Sequence, residues 1–165
     1  MLSPTDITHL RRCIELARSA LEAGDSPFGS VLVDSSGNVL HEDRNRTVTD
    51  ADVTLHPELT LALWAQKHLS RAERATATVY TSGEHCPMCA AAHANVGLGR
   101  IVYASSSAQF ERWRAELGAS PGLVAALPIN QVAPGLVVDG PAGGLDEEVR
   151  ELHRLKLARV VTRES

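Results

Sequence analysis

His56-Pro57-Glu58 and, 28 positions beyond the glutamate, Cys86-Pro87-Met88-Cys89 are the residues of this chain whose types and spacing can do chemistry. One imidazole and two thiolates fill three corners of a zinc tetrahedron and leave the fourth for water. Zinc lowers the pKa of such a water from ~15.7 toward ~7. A carboxylate beside the histidine can then take the water's proton and pass it to a leaving group.

Each half is ambiguous when read alone. A Cys-x-x-Cys run serves redox dithiols and metal half-sites alike, and glutaredoxin-like proteins carry a similar Cys-Pro-x-Cys run. A lone histidine at a helix start is more often a surface or capping residue than a ligand. Pro57 changes that reading, because the residue before proline is driven out of the α region. His56 should therefore stand just ahead of a helix, with Pro57 as its first residue and Glu58 in its first turn. A helix starting at Pro87 would likewise place both sulfurs near its first turn, where free N–H groups and the positive dipole end favour thiolate. Redox chemistry gives no reason for His-x-Glu to lead a helix upstream of the dithiol, whereas hydrolytic zinc chemistry needs both halves.

The surrounding sequence alternates helices and strands. Ser3-Pro4-Thr5-Asp6 opens a helix with Ile7, Leu10, Ile14, Ala17 and Leu21 at helical spacing, and Gly24 stops it. Pro27-Phe28-Gly29 turns into a strand at Ser30–Val33, and Asp34–Asn38 is hairpin-turn chemistry before a return strand at Val39-Leu40. A second helix is expected over Asp52–Leu69, a strand at Thr78–Tyr80, a third helix over Pro87–Asn95, a strand at Ile101–Ala104 and a fourth helix over Ala108–Leu117. Residues 118–144, rich in Gly and Pro, allow one strand around Leu136–Val138, and Leu145, Val149, Leu152 and Leu155 mark a last helix. This order predicts an α/β sandwich around a mixed sheet.

At 165 residues and 44% hydrophobic content, one domain with a single core is expected. No segment reads as a signal peptide or a membrane span, so a soluble, cytoplasmic protein is expected. The net charge of −4, with acids and bases interspersed, argues against a nucleic-acid partner and favours a small substrate. Three cysteines cannot pair completely; Cys13 falls on the apolar stripe of the first helix and is read as a buried small residue. His9, His41, His68, His93 and His153 have no comparable partners and are expected at the solvent or the core edge.

The combined pattern resembles the H-x-E…C-x-x-C signature of zinc-dependent deaminases, the cytidine deaminase superfamily, in the branch of guanine, fungal-type cytosine and tRNA adenosine deaminases. The resemblance runs from about Pro27 to Ser106: Pro27-Phe28-Gly29, Asn45, Asp52 to Glu58, and Thr81 to Cys89. It implies a three-layer α/β/α sandwich around a mixed five-stranded sheet, in one domain over residues 1–165. It implies one Zn²⁺ per chain held by His56, Cys86 and Cys89, with Glu58 as proton shuttle. Asn45 matches a position that hydrogen-bonds substrate, and Phe28 one where an aromatic ring covers the base. The implied activity is hydrolytic release of ammonia from an amino-substituted heterocycle, a free nucleobase in guanine-deaminase style or an analogue such as an aminotriazine, by a homodimer. tRNA adenosine deamination and a zinc/dithiol redox or non-catalytic protein are the alternatives. Two positions depart from the pattern. Pro57 stands where relatives have alanine or glycine, whose N–H often donates to substrate, and proline has none. His85 stands where relatives have proline. Both are therefore candidates for substrate specificity.

Overall fold

The computed structural model describes residues 1–164, the side chains of 160–164 excepted. In chain order the elements are α1 (Pro4–Ala23), β1 (Gly29–Val33), β2 (Val39–Arg44), α2 (Pro57–His68), α3 (Arg71–Thr76), β3 (Thr78–Gly83), α4 (Pro87–Val96), β4 (Ile101–Ser105), α5 (Ser107–Glu116), α6 (Ile129–Val132), β5 (Val138–Asp139) and α7 (Leu145–Glu164). Ser3 and Asp6 form a reciprocal capping box at the start of α1, and Gly24 ends it in the left-handed conformation. Asp34 closes the β1–β2 hairpin by accepting the N–H groups of Ser36 and Asn38 on its side chain.

The sheet has the order β2-β1-β3-β4-β5, as a mixed five-stranded sheet. β1 pairs antiparallel with both β2 and β3, while β3, β4 and β5 run parallel. The parallel pair β3–β4 needs a crossover, and α4 supplies it. Strand alternation divides the core between the two faces. Val31, Val33, Tyr80, Val102 and Ala104 pack with α1, Trp113 of α5 and the start of α7. Leu32 and Val79 face Leu61, Ala62 and Ala65 of α2. Ile101, also turned to that second face, packs with Ala90 of α4 and Ile129 of α6. The α/β/α sandwich expected from the sequence is thus formed. A Cβ at Gly29 would lie 2.5 Å from the Cys13 carbonyl oxygen, so the close approach of α1 to β1 requires glycine there.

Three expectations need correction. The second helix begins at Pro57 and not at Asp52: Asp52 accepts from Thr54 N–H and Oγ1 and makes a turn, as short acidic side chains do in competition with helix. Two short helices, α3 and α6, went unread; α3 is opened by a capping box of Ser70 and Glu73. His93 and His153, expected near solvent, are 0% and 3% exposed. His93 Nε2 donates to the Gly99 carbonyl at 2.9 Å, and His153 sits among Phe28, Phe110 and Trp113.

Burial lowers the pKa of His93 to about 4, against its bond to Gly99, and that of His153 to about 3, where the charge of Arg114 adds to burial. Both rings are neutral in the native state below the pH at which the unfolded chain, with an ordinary value near 6.5, takes up protons. Stability contributed this way is complete above pH ~6.5 and falls as pH drops toward 4, by up to about 1.4 kcal/mol per pH unit for each ring. Urea midpoints measured at pH 7 and pH 5 should show that loss, and His153→Phe should flatten it. An unchanged midpoint between the two pH values would mean that the rings are not buried as described.

Candidate active site

His56 and Cys86 occupy matching positions. Each is the extended N-cap of a helix whose first residue is proline, at the starts of α2 and α4. Neither side chain caps its own helix, which leaves the imidazole and the thiol free for each other. Glu58 follows at the second position of α2 and Cys89 at the third of α4. Packing of α2 beside α4 brings the two helix starts together. His56 Nδ1 lies 3.6 Å from Cys86 Sγ and 3.7 Å from Cys89 Sγ. All three ligand atoms fall within 4.8 Å of one another. Zn–S and Zn–N bonds of ~2.3 and ~2.0–2.1 Å at tetrahedral angles imply an N···S edge of ~3.6 Å, so the separations and the donor set fit zinc.

Protonation of the trio is tightly coupled. The hydrogen bond from Cys89 brings the Cys86 thiol down to about 4, with His56 adding to it against burial. Cys89 is pushed far up, by the same bond first and by burial second. His56 is raised, by Cys86 first, against burial. These directions favour a thiolate at Cys86 facing the His56 imidazole, and a divalent cation would displace the protons that remain.

Glu58 is 5% exposed, and burial raises its pKa, opposed by the hydrogen bond from Thr81 and the charge of His56. That direction suits a carboxylate that must accept a proton. Oε2 lies 3.9 Å from Cys89 Sγ, and Oε1 receives hydroxyl hydrogen bonds from Thr81 at 2.7 Å and Ser30 at 3.2 Å. Those two partners were not singled out in the sequence. A signal was present for Ser30, the one polar side chain in β1; Thr81 stands in β3 between other short polar residues, Thr78 and Ser82, and gave none.

A cavity of about 400 Å³ opens on His56, Glu58 and Cys86. Its wall includes Phe28, Gly83, Phe110, Glu111, Arg114 and residues 122–126, most of which lie beyond the stretch that carried chemistry in the sequence. The Phe28 and Phe110 rings meet edge to face at 5.7 Å. A Cβ at Gly83 would stand 2.9 Å from Phe28 Cε1, so the absent side chain leaves the place that the ring takes. Glu84 also lines the cavity, but its two oxygens accept the N–H groups of Ile129 and Ser107 and hold α6 and α5 against the end of β3.

The other expected substrate residues are placed less directly. Asn45 is 2% exposed and its N–H donates to the Phe28 carbonyl at 2.9 Å. Its Oδ1 accepts from Thr47 N–H and Oγ1, which turns Nδ2 into the unspent donor of the amide. Asp25, fully buried, accepts from Arg44, Val48 and Thr49 and so fixes the loop that follows Asn45. Pro57 is buried at the head of α2 and gives the cavity no side chain. His85 departs from the expectation: it is 1% exposed, its ring lies 5.3 Å from that of His93, and it does not line the cavity. Both its ring nitrogens lack a hydrogen-bond partner among the described residues.

Comparison with known proteins agrees with this geometry. The family described as the cytidine and deoxycytidylate deaminase zinc-binding region matches residues 3–105, which extends the similarity back to the start of α1. A probable cytosine deaminase of Schizosaccharomyces pombe is 32% identical over 142 residues, 81% of this chain and 86% of that protein. A tRNA-specific adenosine deaminase of Haemophilus influenzae is 32% identical over 104 residues, 63% of this chain but only 60% of that protein. Among solved structures, a guanine deaminase from Nitrosomonas europaea shares the fold with a TM-score of 0.74 at 22% identity, covering 96% of this chain and 86% of that one.

Proposed function

This chain belongs to the family of the cytidine and deoxycytidylate deaminase zinc-binding region, and from that premise we propose a zinc-dependent aminohydrolase acting on a free nucleobase or a similar small amino-heterocycle. The observation that carries the reading is the His56–Cys86–Cys89 cluster with Glu58 Oε2 beside it, at one end of a cavity walled by two phenylalanines. In this reading His56, Cys86 and Cys89 hold one zinc per chain. Bound zinc supplies the Lewis acidity that makes water nucleophilic near neutral pH. Glu58 moves the two protons of the water whose oxygen joins the ring carbon, the first to the ring nitrogen and the second, from the hydroxyl then on that carbon, to the departing amine. Ammonia leaves and a ring carbonyl remains. Phe28 covers the flat face of the ring, and Asn45 offers Nδ2 to an acceptor on it. The aromatic wall and the net charge of −4 support a small substrate over a polynucleotide. Among the described residues no helix is long and apolar enough to cross a membrane. We place the activity in one domain that works as a homodimer, in keeping with exposed apolar side chains at Val53 and Leu63.

The test is an ammonia-release screen over guanine, adenine, cytosine, their nucleosides, aminotriazines and a tRNA carrying a target adenosine. Release from one or more free bases supports the reading; release from the tRNA alone overturns the substrate class.

Position 57 should tune the same screen. Proline removes a main-chain donor between His56 and Glu58, and a substrate acceptor left buried and unpaired there would cost ~1–3 kcal/mol. Pro57→Ala restores the N–H with a small side chain. Relative kcat/KM among the amino-heterocycles is expected to shift about tenfold or more, equivalent to ~1.4 kcal/mol, with zinc content unchanged. A substrate ranking identical to that of the parent protein would remove position 57 from specificity.

A further inference from the structure

The two oxygens of Glu58 have different surroundings. Oε2 faces the His/Cys cluster, 3.9 Å from Cys89 Sγ. Oε1 faces the sheet, 2.7 Å from Thr81 Oγ1 and 3.2 Å from Ser30 Oγ. Ser30 and Thr81 are register partners across the antiparallel β1–β3 pair, so their side chains emerge side by side from one face. Both are 0% exposed, and their oxygens are 2.9 Å apart. Thr81 Oγ1 also reaches the Gly83 carbonyl at 3.0 Å.

Each hydroxyl has one proton to give. Both hydroxyls can donate to Oε1, or Ser30 donates to Thr81 and Thr81 to Oε1, or Ser30 donates to Oε1 and Thr81 turns to Gly83. In each arrangement Oε1 receives a hydrogen bond and no donor is wasted. Burying two hydroxyls in the middle of a sheet is unfavourable unless they are partnered, and an apolar pair would fill the same space without that requirement. Glu58 is the partner that gives these hydroxyls a use.

We propose that Ser30 and Thr81 are a pair of positioning residues that anchor Glu58 Oε1, so that Oε2 is the oxygen that carries protons. The proposal rests on the deaminase reading above. Oε2 takes one proton as the water oxygen bonds to the ring carbon and passes it to the ring nitrogen. It then takes the second from the hydroxyl now on that carbon and passes it to the amine as the C–N bond breaks and the carbonyl forms. The carboxylate is restored, and amine plus water have become carbonyl plus ammonia.

The redundancy of the pair sets the expected pattern. Ser30→Ala keeps the shorter Thr81 contact and Thr81→Ser keeps both hydroxyls, so each should hold kcat within ~3-fold. Thr81→Val, which leaves only the longer Ser30 contact, should lower it by about 10-fold, and Ser30→Ala with Thr81→Val together by about 10²-fold or more, with KM within ~3-fold and zinc content unchanged. Crystal structures of the parent and the double variant provide a readout independent of turnover. The parent should show Glu58 in a single orientation, and the double variant should show its carboxylate rotated or split between positions. A double variant with kcat within ~3-fold and an unmoved carboxylate overturns the proposal. So does a kcat loss that is matched by loss of zinc. If the parent releases ammonia from no amine, the deaminase reading falls, and the carboxylate orientation still decides whether the pair anchors it.

Discussion

Glu58→Ala is expected to bind one zinc per chain and to fold as the parent does, while turnover falls by roughly 10²–10⁴ or more. The expectation follows from the separation of tasks within the site. The donor set that fits zinc is His56, Cys86 and Cys89, and the Glu58 carboxylate stands outside it, held on the sheet side by hydroxyls. In the proposed reading, removing it takes away the group that moves protons and leaves the N/S₂ cluster whole. It also removes a buried carboxylate whose charged form is disfavoured by burial, so stability should not suffer from the loss of charge. Elemental analysis, thermal unfolding and ammonia release measured on the same preparation check the three parts. Near-normal turnover in this variant would show that the proton passes through another group.

His56→Ala should fail differently, losing metal and turnover together. Two cysteines alone do not make the three-ligand site that leaves one position for water. The loss should also register without substrate. A ligand that binds only the native state stabilises it by about 4.1 kcal/mol at a thousandfold excess over its Kd. Chelation should therefore lower the Tm of the parent protein and leave that of His56→Ala unchanged. If the protein purified without chelator carries no zinc and Cys86 and Cys89 form a disulfide readily, the site is a redox dithiol and the hydrolytic reading is wrong.

Much of this site was legible in the chain because local rules placed its parts. Proline after His56 and after Cys86 puts each of these residues at an extended N-cap, and Glu58 and Cys89 then fall in the first turns of α2 and α4. The alternation of helical and strand segments pointed to the sandwich in the same local way, and burial of Cys13 followed from helical period alone. What depends on pairing across the molecule was not legible. The opposition of Ser30 and Thr81 is a matter of register between strands 51 residues apart, and nothing near either residue specifies it. The far cavity wall, with Phe110, Arg114 and residues 122–126, comes from the Gly/Pro-rich stretch and the helix before it, where periodicity is weak. His93 and His153 were expected at the solvent or the core edge because a polar side chain carries no sign of being enclosed; His93 on α4 is enclosed beside Gly99 and His85, and His153 on α7 among Phe28, Phe110 and Trp113. His85 adjoins the cysteines in sequence yet does not line the cavity: it lies in the link between β3 and α4, where its neighbours Glu84 and Cys86 take the cavity side and its ring meets His93. Sequence by itself determined that His56, Glu58, Cys86 and Cys89 stand at two helix starts, because caps and prolines act over a few residues. Tertiary structure alone decided what encloses them, because burial and register are set by segments distant along the chain.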